Sequence, residues 1–225
     1  MTTKAARPIP LGLTALIAFF SALLALAVSN GHVAHAHEVA PASAITPKEL
    51  TLRNSMRALW EDHVTWTRLA VISLIDGSPD TEATVARLLR NQTEIGNAIK
   101  PFYGKAAGNA LTAELRKHIL IAADLIGAAK AGDQARVKAE QARWEQNADD
   151  IAALLNKVNP RQWKRAALRA MLGEHLRLTT QEVVARLNAD WRADVAAYDR
   201  IHHHALGMAD ALSAGLTAQF PGRFH

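Results

Sequence analysis

Three stretches of this chain can be written one under another without a gap, and that register constrains the fold more than any other feature. MRALWEDHVTWTRLAVISL (56–74), LTAELRKHILIAADLIGAA (111–129) and LRAMLGEHLRLTTQEVVAR (168–186) align so that His63, His118 and His175 coincide. In the same frame Val64, Ile119 and Leu176 coincide, as do Val71, Ile126 and Val183. A second set follows in the intervening segments: Asn91, Asn147 and His204, then Ile95, Ile151 and Met208, then Ala98, Leu154 and Ala211. The period is about 56 residues, long enough for two helices and the turns that join them.

Within each stretch the apolar residues recur at three- and four-residue steps, the signature of one buried helix face. The face reads Met56, Leu59, His63, Trp66, Ala70 in the first, Leu111, Leu115, His118, Ala122, Leu125 in the second, and Leu168, Leu172, His175, Thr179, Val183 in the third. Breaks fall at Asp76-Gly77-Ser78-Pro79, Pro101, Gly132-Asp133, Asn159-Pro160 and Asn188-Ala189, where Gly, Pro and Asn end helices. Six helices are expected: about Pro47 to Ile75, Asp80 to Lys100, Asn109 to Ala131, the segment ending near Val158, Pro160 to Asn188, and Asp190 to Gln219. The expected fold is all-α, an up-and-down six-helix bundle of three antiparallel hairpins. Ala and Leu dominate and turn residues are sparse, with 12 Gly and 8 Pro, which excludes a sandwich or an alternating α/β protein.

Each hairpin has arms of nearly equal length on either side of its turn. Folding it brings His63 level with Asn91, His118 with Asn147 and His175 with His204, so six polar residues should form one layer near mid-height of the bundle. A buried polar group without a partner costs about 1–3 kcal/mol, so the layer must satisfy itself or hold something. One expectation is structural: each histidine donates to the residue across its hairpin and fixes register. The other is a ligand site. Imidazoles from several helices are a usual way for bundles to hold metals, and Glu94 and Asp150 follow Asn91 and Asn147 by one turn. His63, His118, His175, His204, Glu94 and Asp150 are therefore candidate ligands for Zn, Cu or Fe. The chain has no cysteine, which excludes thiolate sites and disulfides. Trp60 and Trp66 flank His63 and could wall a pocket, whereas His202 and His203 leave the core face and His203 has Asp199 one turn earlier.

The start of the chain has a different character. Lys4 and Arg7 precede residues 11–28, LGLTALIAFFSALLALAV, which carry no charge. Ala34-His35-Ala36 then offers a small-x-small cleavage site. Residues 1–36 read as a signal peptide or a membrane anchor, residues 37–46 as a linker with His37 joining His32 and His35 in a weak metal-chelating cluster, and 47–221 as the bundle domain. An exported protein, periplasmic, secreted or anchored facing outward, is expected in either case. The formal charge of +5 falls to +3 when Lys4 and Arg7 are removed, too little to argue for nucleic acid as a partner.

LWEDHVTWTRLAVISLI (59–75), NADDIAALL (147–155), HLRLTTQEVVARL (175–187) and MADALSAGLTAQFP (208–221) resemble a family of poorly characterised bacterial exported helical proteins. Some of its relatives carry the labels glycosyltransferase or acetylglutamate kinase, activities that call for α/β folds. The resemblance covers about residues 50–221 and implies a helical bundle, with no established substrate and no catalytic residue. No phosphate loop, dinucleotide loop or nucleophile elbow occurs. Three functions are open on the sequence: a non-enzymatic exported binding or structural protein, a membrane-tethered interaction or sensor module with a protein partner, and an enzyme using His63, His118 or His175 as general base. Amino-terminal sequencing of the exported protein should begin at His37; an intact Met1 in the membrane fraction would contradict cleavage.

Overall fold

A computed structural model of the chain describes residues 45–225. The expected export segment and residues 37–44 of the linker lie outside the described residues. Five α-helices follow one another: α1 (Pro47–Asp76), α2 (Thr81–Ala131), α3 (Gln134–Val158), α4 (Arg165–Leu187) and α5 (Trp191–Gln219), then a 3-10 turn (Pro221–Arg223). No strand occurs among the described residues, and none of their helices is long and apolar enough to cross a membrane.

Local sequence accounts for most of the ends. Thr46 caps α1 through a capping box with Glu49, and Pro47 takes the first turn, where a missing N–H costs nothing. Asp133 and Asp190 cap α3 and α5 by accepting from the N–H of Arg136 and Ala193, each at 3.0 Å. Gly77 and Gly132 end α1 and α2 in the left-handed conformation, at φ 69° and 73°.

The expected stop at Pro101 is not a loop. Helix α2 runs on through it, and the one residue with non-helical dihedrals inside is Gly104, at φ 83° and ψ 170°. That combination is open essentially to glycine alone, so a single residue turns the chain where a connection of several residues was expected. The two arms of α2 then pack back on each other through glycine. A Cβ added at Gly96 would lie 2.7 Å from the Gly108 carbonyl oxygen and against Thr112 Oγ1, and one at Gly108 would lie 2.6 Å from the Gly96 carbonyl. The start of α4 also differs from expectation. Residues 160–164 form a turn that buries Trp163 on Gly215 of α5, and the helix begins at Arg165.

Consecutive helices pack as neighbours, and α1 also packs on α5, so the bundle closes on itself. One end is built on aromatic residues: Phe102, Tyr103, Trp163, Phe220 and Phe224 stack on one another. Asn159 ties this end by donating to the Gly215 carbonyl at 2.9 Å. The interior between the ends is mostly aliphatic, with Ile151, Ile201, Met208 and Leu216 at 2 % exposure or less and Trp60 and Trp144 buried beside the polar layer.

Two glycine substitutions test this packing in opposite directions. Gly96→Ala should cost about 1–3 kcal/mol, because the added methyl meets backbone of the opposite arm. Gly127→Ala, at an exposed helical site with nothing within 4 Å of the new methyl, should stabilise by about 0.5–1 kcal/mol. Urea denaturation of both variants reads the two signs.

Candidate functional site

The four histidine rings lie near one another, and their bonds differ from the expected pattern. Only the second hairpin has the simple arrangement, with His118 Nδ1 and Asn147 Oδ1 2.8 Å apart. Asn147 Nδ2 donates to the carbonyl of Glu114 at 3.2 Å and to its carboxylate at 2.8 Å. The amide is thereby oriented, its oxygen accepts, and His118 must carry its proton on Nδ1. In the first hairpin His63 Nδ1 meets Gln92 Nε2 at 3.2 Å rather than Asn91. Gln92 Nε2 also faces the Leu88 carbonyl at 2.8 Å and Asn91 Oδ1 at 3.1 Å, so two hydrogens serve three acceptors. In the third hairpin His175 and His204 make no hydrogen bond to each other; their rings lie 6.2 Å apart and 17° from parallel.

A different contact recurs in all three hairpins. Asn91 Nδ2 donates to the Leu59 carbonyl at 3.0 Å, Asn147 Nδ2 to that of Glu114, and His204 Nε2 to that of Met171 at 3.0 Å. Each acceptor stands four residues before the layer histidine of the partner helix. Such a carbonyl already accepts from the histidine N–H along the helix, and its second lone pair takes the cross-hairpin donor. Thr67 and Thr179, four residues after His63 and His175, use the second lone pair of the histidine carbonyls in the same way, at 2.7 and 2.9 Å.

His175 sits at the centre of the layer. Its ring centroid lies 5.7 Å from that of His63, 6.4 Å from His118 and 6.2 Å from His204. Its Nδ1 is buried without a hydrogen-bond partner, as are the indole nitrogens of Trp60 and Trp144. Trp60 packs on His63 at 5.6 Å and Trp144 on His118 at 5.2 Å. Trp66, the other expected wall, stands outside under the Arg87 guanidinium. His63, His118, His175, Trp144 and aliphatic side chains enclose a cavity of about 30 Å³, which has room for about two water molecules.

Burial, and after it the neighbouring His118, push His63 down to about 4. Burial brings His118 to about 4 as well, against the bond to Asn147, and His175 is driven well below the ordinary histidine range by burial and the other three imidazoles. The imidazoles of His63, His118 and His175 are therefore neutral at pH 7. His204 is half-buried, and Ala205 takes the core position beside it.

The two carboxylates expected near the layer are elsewhere. Glu94 pairs with Arg87 and Arg90 at 3.3 and 3.4 Å, and Asp150 lies against Lys117 at 3.7 Å, both at the surface. Among the described residues no three His, Asp or Glu side chains converge on a common point. His202 reaches Glu61 at 3.4 Å, and no ion pair joins His203 to Asp199 among the described residues. His32, His35 and His37 lie outside the described residues.

Sequence reading missed a second polar group nearer the turn end. Arg68 NH1 donates to Glu182 at 2.6 Å and to Asp194 at 2.8 Å, and Arg186 reaches Asp194 at 3.5 Å and Asp76 at 2.7 Å. Glu182 and Asp194 are almost fully buried. Burial pushes Glu182 up to about 7, with Arg68 working against it. A signal was available: Glu182 is seven residues past His175, in phase with Thr179 on the same face, while the aligned Val183 is only half-buried.

No family model, no curated protein and no solved structure matches this chain.

The shifts predict how stability follows pH. His63 and His118 have folded-state values below their unfolded 6.5, so between about 4 and 6.5 the unfolded chain binds more protons and stability falls as pH falls. Glu182 acts oppositely between about 4.5 and 7, because its folded form keeps a proton that the unfolded chain gives up. With His175 lowered in the same direction, three histidines outweigh one glutamate, leaving a net slope of about 2.7 kcal/mol per pH unit in the middle of that range. Urea midpoints at pH 7, 5.5 and 4.5 should drop steadily; a flat series would contradict the buried neutral layer.

Proposed function

We propose that this chain is an exported, non-enzymatic helical-bundle protein whose histidine layer keys the helices in register and receives a small guest in the cavity beside it. The observation that carries the reading is His175: a buried imidazole with an unpartnered Nδ1, ringed by three other imidazoles, on a cavity of about 30 Å³. A group in that position costs about 1–3 kcal/mol unless something enters to bond it. Water is the resting guest, since the space fits about two molecules and ring nitrogens supply their bonds. Zn, Cu or Fe held by the layer with Glu94 and Asp150 is less well supported, because both carboxylates are engaged at the surface.

The three-hairpin repeat belongs to the same proposal. The same donation to the carbonyl four residues before each layer histidine supports three copies of one unit, with Gly104 as the turn between the first and second copies. Export rests on residues 1–36, and a retained anchor over 11–28 would make the bundle a membrane-tethered interaction module. General-base catalysis is disfavoured by a value near 4 for His63 and His118, far from a working pH near 7.

Proton relaxation of internal water in the full chain at pH 7 tests the guest. Long-lived water in contact with the ring protons of His118 or His175 is expected. A dry cavity, with His175 bonded directly to another side chain, would contradict the reading.

A further inference from the structure

From the lining of the histidine cavity we infer that its exchangeable guest is a monovalent closed-shell d10 metal ion, Cu(I) or Ag(I), held between His118 and His175. This rests on the preceding reading that the cavity admits a guest, and it names the class.

The first argument is charge. The cavity is lined by no Asp, Glu, Lys or Arg, and its three lining histidines are neutral at pH 7. The cost of placing an ion in a medium of low polarity grows with the square of its charge, so a divalent ion pays about fourfold more than a monovalent one, with no carboxylate to offset it. Zn(II) and Fe(II) are poorly served here on that ground alone.

The second argument is donor number and geometry. No three carboxylate or imidazole groups converge among the described residues, whereas tetrahedral and octahedral ions need four to six donors. A d10 monovalent ion accepts two nitrogens in a line. His118 has such a nitrogen: its Nδ1 proton is committed to Asn147, so Nε2 carries a lone pair with no protein partner. His175 has the unpartnered Nδ1. Two metal–nitrogen bonds of about 2 Å, plus about 1.1 Å from each nitrogen to its ring centre, place the centroids about 6.3 Å apart. The His118 and His175 centroids are 6.4 Å apart with the rings 29° from parallel, a separation that matches. The Asn147 bond on the far side of His118 is the usual second-shell arrangement that fixes a ligand histidine.

The third argument is softness nearby. Met56, Met171 and Met208, the three methionines of the described residues, all line a second cavity of about 30 Å³. Met171 and Met208 stand four residues from His175 and His204, on the side of the layer away from the first cavity. Thioether sulfur favours Cu(I) and Ag(I) over harder ions, so the soft donors of the core stand next to the layer.

Titration of the untagged full chain with Ag+, and separately with Zn2+, tests the inference. One Ag+ per chain is expected, with scalar coupling from silver to imidazole 15N of His118 and His175, and a melting temperature that rises with the logarithm of free Ag+. Zn2+ at the same concentration should leave the melting temperature unchanged, and the His202→Ala/His203→Ala variant should bind Ag+ as the wild type does. His175→Leu should lose the coupled silver; where that variant does not fold, the couplings in the wild type decide. Silver coupled only to His202, His203 or the amino-terminal histidines, no coupling at all, or equal stabilisation by Zn2+ would overturn the inference. Internal water without silver binding would overturn this inference alone, whereas a cavity that admits neither would overturn the guest reading with it.

Discussion

A buried imidazole has two nitrogens, and each must be given something to do. The rest of this bundle is arranged around that requirement. In each hairpin a side chain from one helix donates to the carbonyl four residues before the histidine on the other, at 3.0–3.2 Å. The contact is made to backbone, so it sets the height of one helix against its partner and is insensitive to the rotamer of the histidine. It also orients the amides: once Asn147 Nδ2 is held by Glu114, its oxygen can only accept, and His118 is left with one tautomer. Each such bond contributes about 1 kcal/mol net, but leaving its partner unmet in the core costs more, so slippage of one helix past another is opposed at three helix contacts of the one layer.

The layer divides a largely aliphatic core, and the two ends of the bundle solve different problems. At the Gly104 end, aromatic side chains and close glycine contacts bring backbones together, with Trp163 lying where a side chain on Gly215 would have to be. At the other end Arg68 and Arg186 meet Glu182 and Asp194 in a network whose two carboxyl groups are almost fully buried. Such networks add little net stability over an apolar packing of the same shape, yet removing one member strands a charge in the core. Both ends therefore specify which helices meet more than they deepen the fold, and the histidine layer between them is left with an open cavity.

The helical class and the level of the layer were legible because a period of about 3.6 leaves its mark in sequence regardless of context. So was the place of Asn91, Asn147 and His204 beside the histidine-bearing helices, where each donates to the carbonyl four residues before a histidine. The bonding within the layer was not legible. Choosing Gln92 over Asn91 as the partner of His63 depends on about one helical position of rotation, which periodicity cannot resolve. Pro101 read as a stop because its effect on its own helix is local, whereas the tolerance that lets α2 continue to Gly104 is set by packing of the two arms. Glu94 and Asp150 looked close to the layer by spacing alone; their distance from it follows from arginines and a lysine that draw them to the surface. Glu182 was readable in principle, being in phase with His175 and Thr179, but a glutamate on an apolar face is ordinarily assigned to the edge of the stripe.

The central claim is that His63, His118 and His175 are buried and neutral, and that neighbouring groups set the tautomers of the layer. Long-range 1H–15N correlation spectra of the histidine rings, recorded on the full chain at pH 6, read this directly. His118 should carry its proton on Nδ1 and His204, bonded to the Met171 carbonyl, on Nε2, with His63, His118 and His175 all uncharged. Spectra in which these three rings titrate near 6.5, or in which His118 is protonated on Nε2 alone, would contradict the account.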